Sequence, residues 1–310
     1  MTKPGLLLLD PRMERLLDGA LADRFDFVRL WEAADADALL AERGEGVVAA
    51  LANSFDAKLL ERLPNLRLIA VPGTGYDRIA VGPARQRGVT VANAGDVHSR
   101  DVADHAVAML LASVHRLPEL HDWVLTGSWS GKGYPRFRTA MSGHRFGIVG
   151  LGNIGAAIAH RLDPFGGEIA WWGPREKDAP WPRRDSLHDL ARWCSVLVVA
   201  ARGDAVRQID ADVIAAVGAK GLIVNISRGA VIDEEALISA LKDGRLGAAA
   251  LDVFEDEPTP PERWKGVPSV LLSPHIAGAS VQSVGRLRDA AIRNLSTALD
   301  GGPVVNEVTA

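Results

Sequence analysis

An arginine, a glutamate and a histidine each follow an apolar run in the last third of the chain. They are Arg228 in Asn225-Ile226-Ser227-Arg228-Gly229, Glu257 in Asp252-Val253-Phe254-Glu255-Asp256-Glu257, and His275 in Ser273-Pro274-His275, separated by 29 and 18 residues. A guanidinium is a permanent cation with forked donors. An imidazole exchanges a proton near neutral pH, and a carboxylate beside it orients the ring and favours its charged form. Together the set suits reduction of a 2-oxo acid: a fixed cation for the carboxylate and carbonyl oxygen, and an acid for the developing alkoxide. Singly, each has an ordinary explanation as a surface ion pair or a loop residue. Their shared placement at strand ends makes the chemical reading the stronger one.

A second constellation lies upstream. The apolar run 146–149 enters Gly150-Leu151-Gly152-Asn153-Ile154-Gly155, and an alanine-rich helical stretch follows. Gly150 permits a tight turn, Gly152 lets backbone approach a pyrophosphate, and Gly155 lets helix and strand pack closely. The helix start at Asn153 and Ile154 offers unpaired N–H groups and a positive dipole end to phosphates. The next strand, 168–172, should end in an acidic residue if the adenosine ribose is unphosphorylated. It ends instead in Gly173-Pro174-Arg175. Without the carboxylate a 2′-phosphate is not repelled, and Arg175 can pair with it, so NADP is favoured over NAD.

These residues need a scaffold that brings distant strand ends together. In the first 90 or so residues, strands are predicted over 6–9, 46–51, 68–71 and 89–91, with helical patterns at 35–43 and 57–63. A long helix is predicted over 99–116, with apolar residues on more than one face, followed by a polar, glycine-rich stretch over 126–141. A second alternating segment has strands at 146–149, 168–172, 196–200, 222–226, 248–253 and 270–272, and helices starting near Ile154, Ser186, Asp210 and Asp233. A last helix is predicted over 281–299. Strands alternating with helices imply an α/β protein with doubly wound parallel sheets, whose strand carboxyl ends face a ligand crevice.

Composition narrows the function classes. A net charge of −4 and no basic run argue against nucleic acid. The apolar start, Leu6 to Leu9, stops at Asp10-Pro11; it is too short for a signal segment or a membrane span and is predicted to be a strand. The single cysteine, Cys194, leads into an apolar run and is expected to be buried, unreactive and in a reducing, cytoplasmic compartment.

The chain resembles the D-isomer-specific 2-hydroxyacid dehydrogenases, on "VPGTGYDRIAV", "GIVGLGNIG", "NISRGAVIDEEAL", "ALDVFEDEP" and "SPHIAGAS" in family order. The resemblance implies a central Rossmann domain, residues 98–281, inserted in a discontinuous flavodoxin-like substrate domain, residues 1–97 and 282–310. It implies Arg228 on the substrate, His275 as acid/base with Glu257 as its partner, and the Gly73-Thr74-Gly75 backbone on the substrate carboxylate. It also implies Asp252 and the Ile226 carbonyl on the nicotinamide carboxamide, Gly173 and Gly278 beside the cofactor, and a homodimer using the 99–116 helix. Within the family, "GDVHSRDVADHAVAMLLA" and "FRTAMSGHRFGIVGLGNIG" resemble the glyoxylate/hydroxypyruvate reductase branch. The loop 200–207 departs from the proline- and threonine-containing pattern of many members, and no cofactor contact is carried onto it. The rival expectation is a nicotinamide-sensing, non-catalytic protein of the same fold that binds partners.

Overall fold

Short runs of Val, Ile, Leu and Ala without polar alternation suit strands covered on both faces. The computed structural model, which describes residues 3–201 and 205–309, forms two parallel sheets from such runs. The chain divides into two compact units, Met1–His98 with Ser280–Ala310, and Ser99–Ala279.

The first unit has strands β1 (Gly5–Leu8), β2 (Asp26–Arg29), β3 (Val47–Leu51), β4 (Leu68–Ala70) and β5 (Thr90–Ala92), in the order β2-β1-β3-β4-β5. Strand β2 is a correction, because no strand is predicted there. It is an edge strand paired only with β1, and Val28 is its one buried residue, so it carries no periodic apolar signal. One sheet face buries Leu7, Ala50, Ile69 and Val91. The other buries Leu6, Leu8, Ala49 and Leu51 against Ala291, Leu295 and Ala298 of the helix Val281–Asp300. Each fully buried leucine contributes about 1.5–3 kcal/mol. Reciprocal side-chain caps between Ser280 and Ser283 start that helix.

The second unit has β6 (Arg145–Val149), β7 (Glu168–Trp172), β8 (Val196–Val199), β9 (Leu222–Asn225), β10 (Ala248–Leu251) and β11 (Val270–Leu272). Their order is β11-β10-β9-β8-β6-β7, and every pair is parallel. The helix Ser99–Val114 covers one face through Val102, Ala106 and Leu110, packed with Ile158 and Leu162 of the helix Asn153–Leu162. Leu190, Ile214, Leu237 and Leu241 cover the other face. All six carboxyl ends therefore share one edge, and the strand order reverses beside β6. Among the described residues no helix is long and apolar enough to cross a membrane, and no His/Cys/Asp/Glu cluster is built to hold a metal ion.

Candidate active site

Strand β9 ends in a local knot. Asn225 is buried; its Oδ1 accepts from Ser227 N at 3.1 Å and Ser227 Oγ at 2.8 Å, and its Nδ2 donates to Arg228 O at 3.0 Å. This side-chain turn aims the chain out of the sheet at Arg228. The Arg228 Nη1 donates to Ser227 O at 2.8 Å. Gly229 then passes so close to the loop after β10 that a Cβ there would stand 1.8 Å from Phe254 C and 2.0 Å from its oxygen. Only glycine fits. The two loops are tied again by Glu234, whose buried carboxylate accepts from Glu255 N at 3.0 Å and pairs with Arg263.

The loop after β10 presents Glu257, and the loop after β11 presents His275. Glu257 Oε1 accepts from Phe254 N at 3.0 Å, and Oε2 lies 2.7 Å from His275 Nδ1. With Nδ1 engaged, Nε2 is the ring nitrogen left to face a reactant. His275 has a left-handed φ of 50°, a conformation uncommon for an L side chain. Asp252 holds it: its carbonyl accepts from His275 N at 2.8 Å, Oδ1 from Ile276 N at 3.0 Å, and Oδ2 from Ala277 N at 2.9 Å. The Ser273 hydroxyl also donates to Oδ1. Asp252 is 1% exposed. Its carboxylate accepts from Ser273, Ile276 and Ala277 of the chain itself. Gly278 lies in the next turn, closed by Ala279 N donating to Ile276 O at 2.9 Å. Ile226 is buried directly after β9.

At the other end of the same sheet edge, Gly150 has φ 89°, and a Cβ there would meet Ala200 O at 2.8 Å. A Cβ on Gly155 would lie 2.0 Å from Gly150 O, whereas one on Gly152 would meet nothing within 4 Å. Gly152 caps the helix without a side-chain acceptor. The first-turn amides at Asn153, Ile154 and Gly155 thus have no intrahelical partner, and open space lies against the backbone at Gly152. That cradle fits a dinucleotide diphosphate. Past β7, Arg183 donates to Gly173 O (2.8 Å from Nη2), and Lys177 Nζ reaches Leu151 O at 2.7 Å. Arg175, two residues after Gly173, is exposed. In the loop 200–207, Arg202, Gly203 and Asp204 lie outside the described residues.

In the first unit, the loop Gly73-Thr74-Gly75 follows β4. Ala94 N donates to Gly73 O at 3.0 Å, Asn93 Nδ2 to Thr74 O at 2.8 Å, and Thr74 Oγ1 to Gly95 O at 2.5 Å. The loop is held by its neighbours after β5, and a Cβ at Gly73 would meet nothing.

Asn225, Gly229, Glu234, Ser273 and His105 lie within the motifs quoted above but are given no role by them, and Lys177 lies outside them. Asn and Gly flanking Ile226-Ser227-Arg228 at a strand end are a turn signal that points to the first two. Lys177 and Glu234 carry no local signal, since their partners are far away in sequence.

The chain matches the family model described as D-isomer specific 2-hydroxyacid dehydrogenase, NAD binding domain, over residues 107–277. It is 37% identical to a glyoxylate/hydroxypyruvate reductase of Arabidopsis thaliana over 99% of this chain and 100% of that one. The chain belongs to the D-isomer specific 2-hydroxyacid dehydrogenase family. Solved relatives of this 2-hydroxyacid dehydrogenase include one from Ketogulonicigenium vulgare, with TM-score 0.92 and 38% identity over 100% of this chain and 99% of that one. Another is an NADPH-dependent glyoxylate/hydroxypyruvate reductase from Sinorhizobium meliloti in complex with NADP and malonate, with TM-score 0.90 and 32% identity over 99% and 97% of the two chains.

Proposed function

We propose that this chain reduces a small 2-oxo acid of the glyoxylate or hydroxypyruvate type to the D-2-hydroxy acid, with NADPH as preferred donor and NADH as the weaker one. The supporting observation is the 2.7 Å contact between His275 Nδ1 and Glu257 Oε2 at the ends of β10 and β11, with Arg228 at the end of adjoining β9. Bound dinucleotide supplies the hydride that C2 of the substrate receives. Arg228 holds the substrate carboxylate and carbonyl oxygen in place and offsets the charge that grows on that oxygen. His275 passes a proton from Nε2 to the same oxygen, and Glu257 keeps the ring aimed and balances its charge. By the family resemblance, backbone N–H groups of Gly73, Thr74 and Gly75 are assigned to the substrate carboxylate. Gly150, Gly152, Asn153, Ile154 and Gly155 hold the diphosphate, with Ile226, Asp252 and Gly278 around the nicotinamide.

The NADP preference rests on Gly173-Pro174-Arg175, where no acid closes β7, and on the NADPH dependence of the Sinorhizobium relative. Relatives named as reductases favour catalysis over the sensing alternative. A homodimer and a cytoplasmic setting belong to the same proposal. Leu125, Trp129, Tyr134 and Phe137 are exposed apolar side chains open to self-association, and the lone thiol of Cys194 is buried. Light scattering and cell fractionation test these two points; a monomer or a secreted protein refutes them. A panel of 2-oxo acids assayed with both coenzymes tests the rest. The expected result is turnover of glyoxylate or hydroxypyruvate with a higher kcat/KM for NADPH. No turnover of any 2-oxo acid overturns the reading, and a clear NADH preference overturns the Arg175 assignment.

A further inference from the structure

The helix Ser99–Val114 carries an imidazole with no part in the chemistry described so far. His105 Nε2 lies 2.9 Å from Ser273 Oγ and 3.6 Å from Asp252 Oδ1, and its side chain is 29% exposed. The Ser273 hydroxyl donates to Asp252 Oδ1. A carboxylate only accepts and a hydroxyl has one hydrogen, so Ser273 Oγ is left as an acceptor toward His105, and His105 Nε2 carries the hydrogen. The order is therefore His105 Nε2–H to Ser273, Ser273 O–H to Asp252, and Asp252 to the main chain of residues 275–277.

That last link reaches the acid. Asp252 takes His275 N on its carbonyl and Ile276 N and Ala277 N on its carboxylate, the amides on and just past the left-handed residue. Relays of this kind polarise along their length, and removing one member loosens the others. His105 is separated from Ser273 by 168 residues, so the link ties the helix to the strand-end loop.

We propose that His105 and Ser273 are positioning residues for His275. They fix the Asp252 rotamer, and Asp252 fixes the turn that aims His275 Nε2 at the substrate oxygen. This rests on the reading of His275 as the proton donor. Both act through another residue.

The test compares Ser273→Ala, His105→Leu and His105→Gln with wild type and with His275→Ala. The readouts are kcat and KM for the 2-oxo acid, NADPH affinity by fluorescence, and thermal midpoint. Small displacements at a reacting group cost large factors in rate, so Ser273→Ala and His105→Leu should lower kcat roughly tenfold or more while NADPH affinity stays within about twofold. His105→Gln, which can return an N–H to the hydroxyl, should recover most of the rate. In the His275→Ala background the same substitutions should cost almost nothing further, because coupled residues are not additive. Wild-type kcat in both Ser273→Ala and His105→Leu overturns the proposal. So does an undiminished effect of Ser273→Ala in the His275→Ala background. Near-normal turnover of His275→Ala alone overturns the acid assignment beneath it. Should His105→Leu fail to fold, Ser273→Ala, which removes one oxygen, carries the test.

Discussion

Gly229 and Phe254 approach so closely that a methyl group on Gly229 would fall 1.8 Å from the Phe254 carbonyl carbon. The contact locks the Arg228 loop onto the loop that leads to Glu257. Gly229→Ala must push these backbones apart, with no flexible side chain to yield. The expected cost is at the upper end of about 1–3 kcal/mol, with most turnover lost. Urea unfolding and kcat measure both; a stable, active variant refutes the close approach.

His275→Ala should lose roughly 10²- to 10⁴-fold in kcat while NADPH binding survives. Near-normal turnover of the variant would count against His275 as the donor.

Arg228→Ala should raise KM and lower kcat together, because the guanidinium contacts substrate before and during the reaction. An unchanged KM would place Arg228 outside the substrate site.

Gly155→Ala tests the nucleotide cradle. Its new Cβ would lie 2.0 Å from Gly150 O, forcing the helix start away from the turn. NADPH affinity, followed by fluorescence, should drop at least about tenfold. Normal affinity would mean that the turn yields without consequence.

Burial pushes the Cys194 thiol up from its ordinary 9.0 to about 12. The folded chain thus keeps a proton that the unfolded chain releases. The associated stability is complete below about pH 9 and declines as pH rises from about 9 toward 12. Cys194→Ala should lack that part of the pH dependence, so its stability relative to wild type should rise in urea unfolding from pH 8 through 9.5 to 10.5. In the native state at pH 8 the thiol should resist Ellman's reagent; rapid labelling would contradict its burial.

The buried character of Cys194 was legible because it leads into an uninterrupted apolar run, as was each strand of the Ser99–Ala279 unit. Strand β2 was not, because only Val28 of its residues is buried. The buried carboxylate of Glu234 was equally hidden, since its partners Glu255 and Arg263 lie 21 and 29 residues further along.

By itself the sequence determined the strand-ending motifs around Arg228, Glu257 and His275 and the glycine turn at Gly150, because apolar runs and turn chemistry are local properties of a chain. Only the tertiary structure decided that Glu257 touches His275, that Gly229 must be glycine, and that Asp252 braces the imidazole's turn through bonds shared with Ser273. Those contacts depend on β9, β10 and β11 lying side by side with their ends level. That arrangement is set by burial of both sheet faces, which no short stretch of sequence encodes.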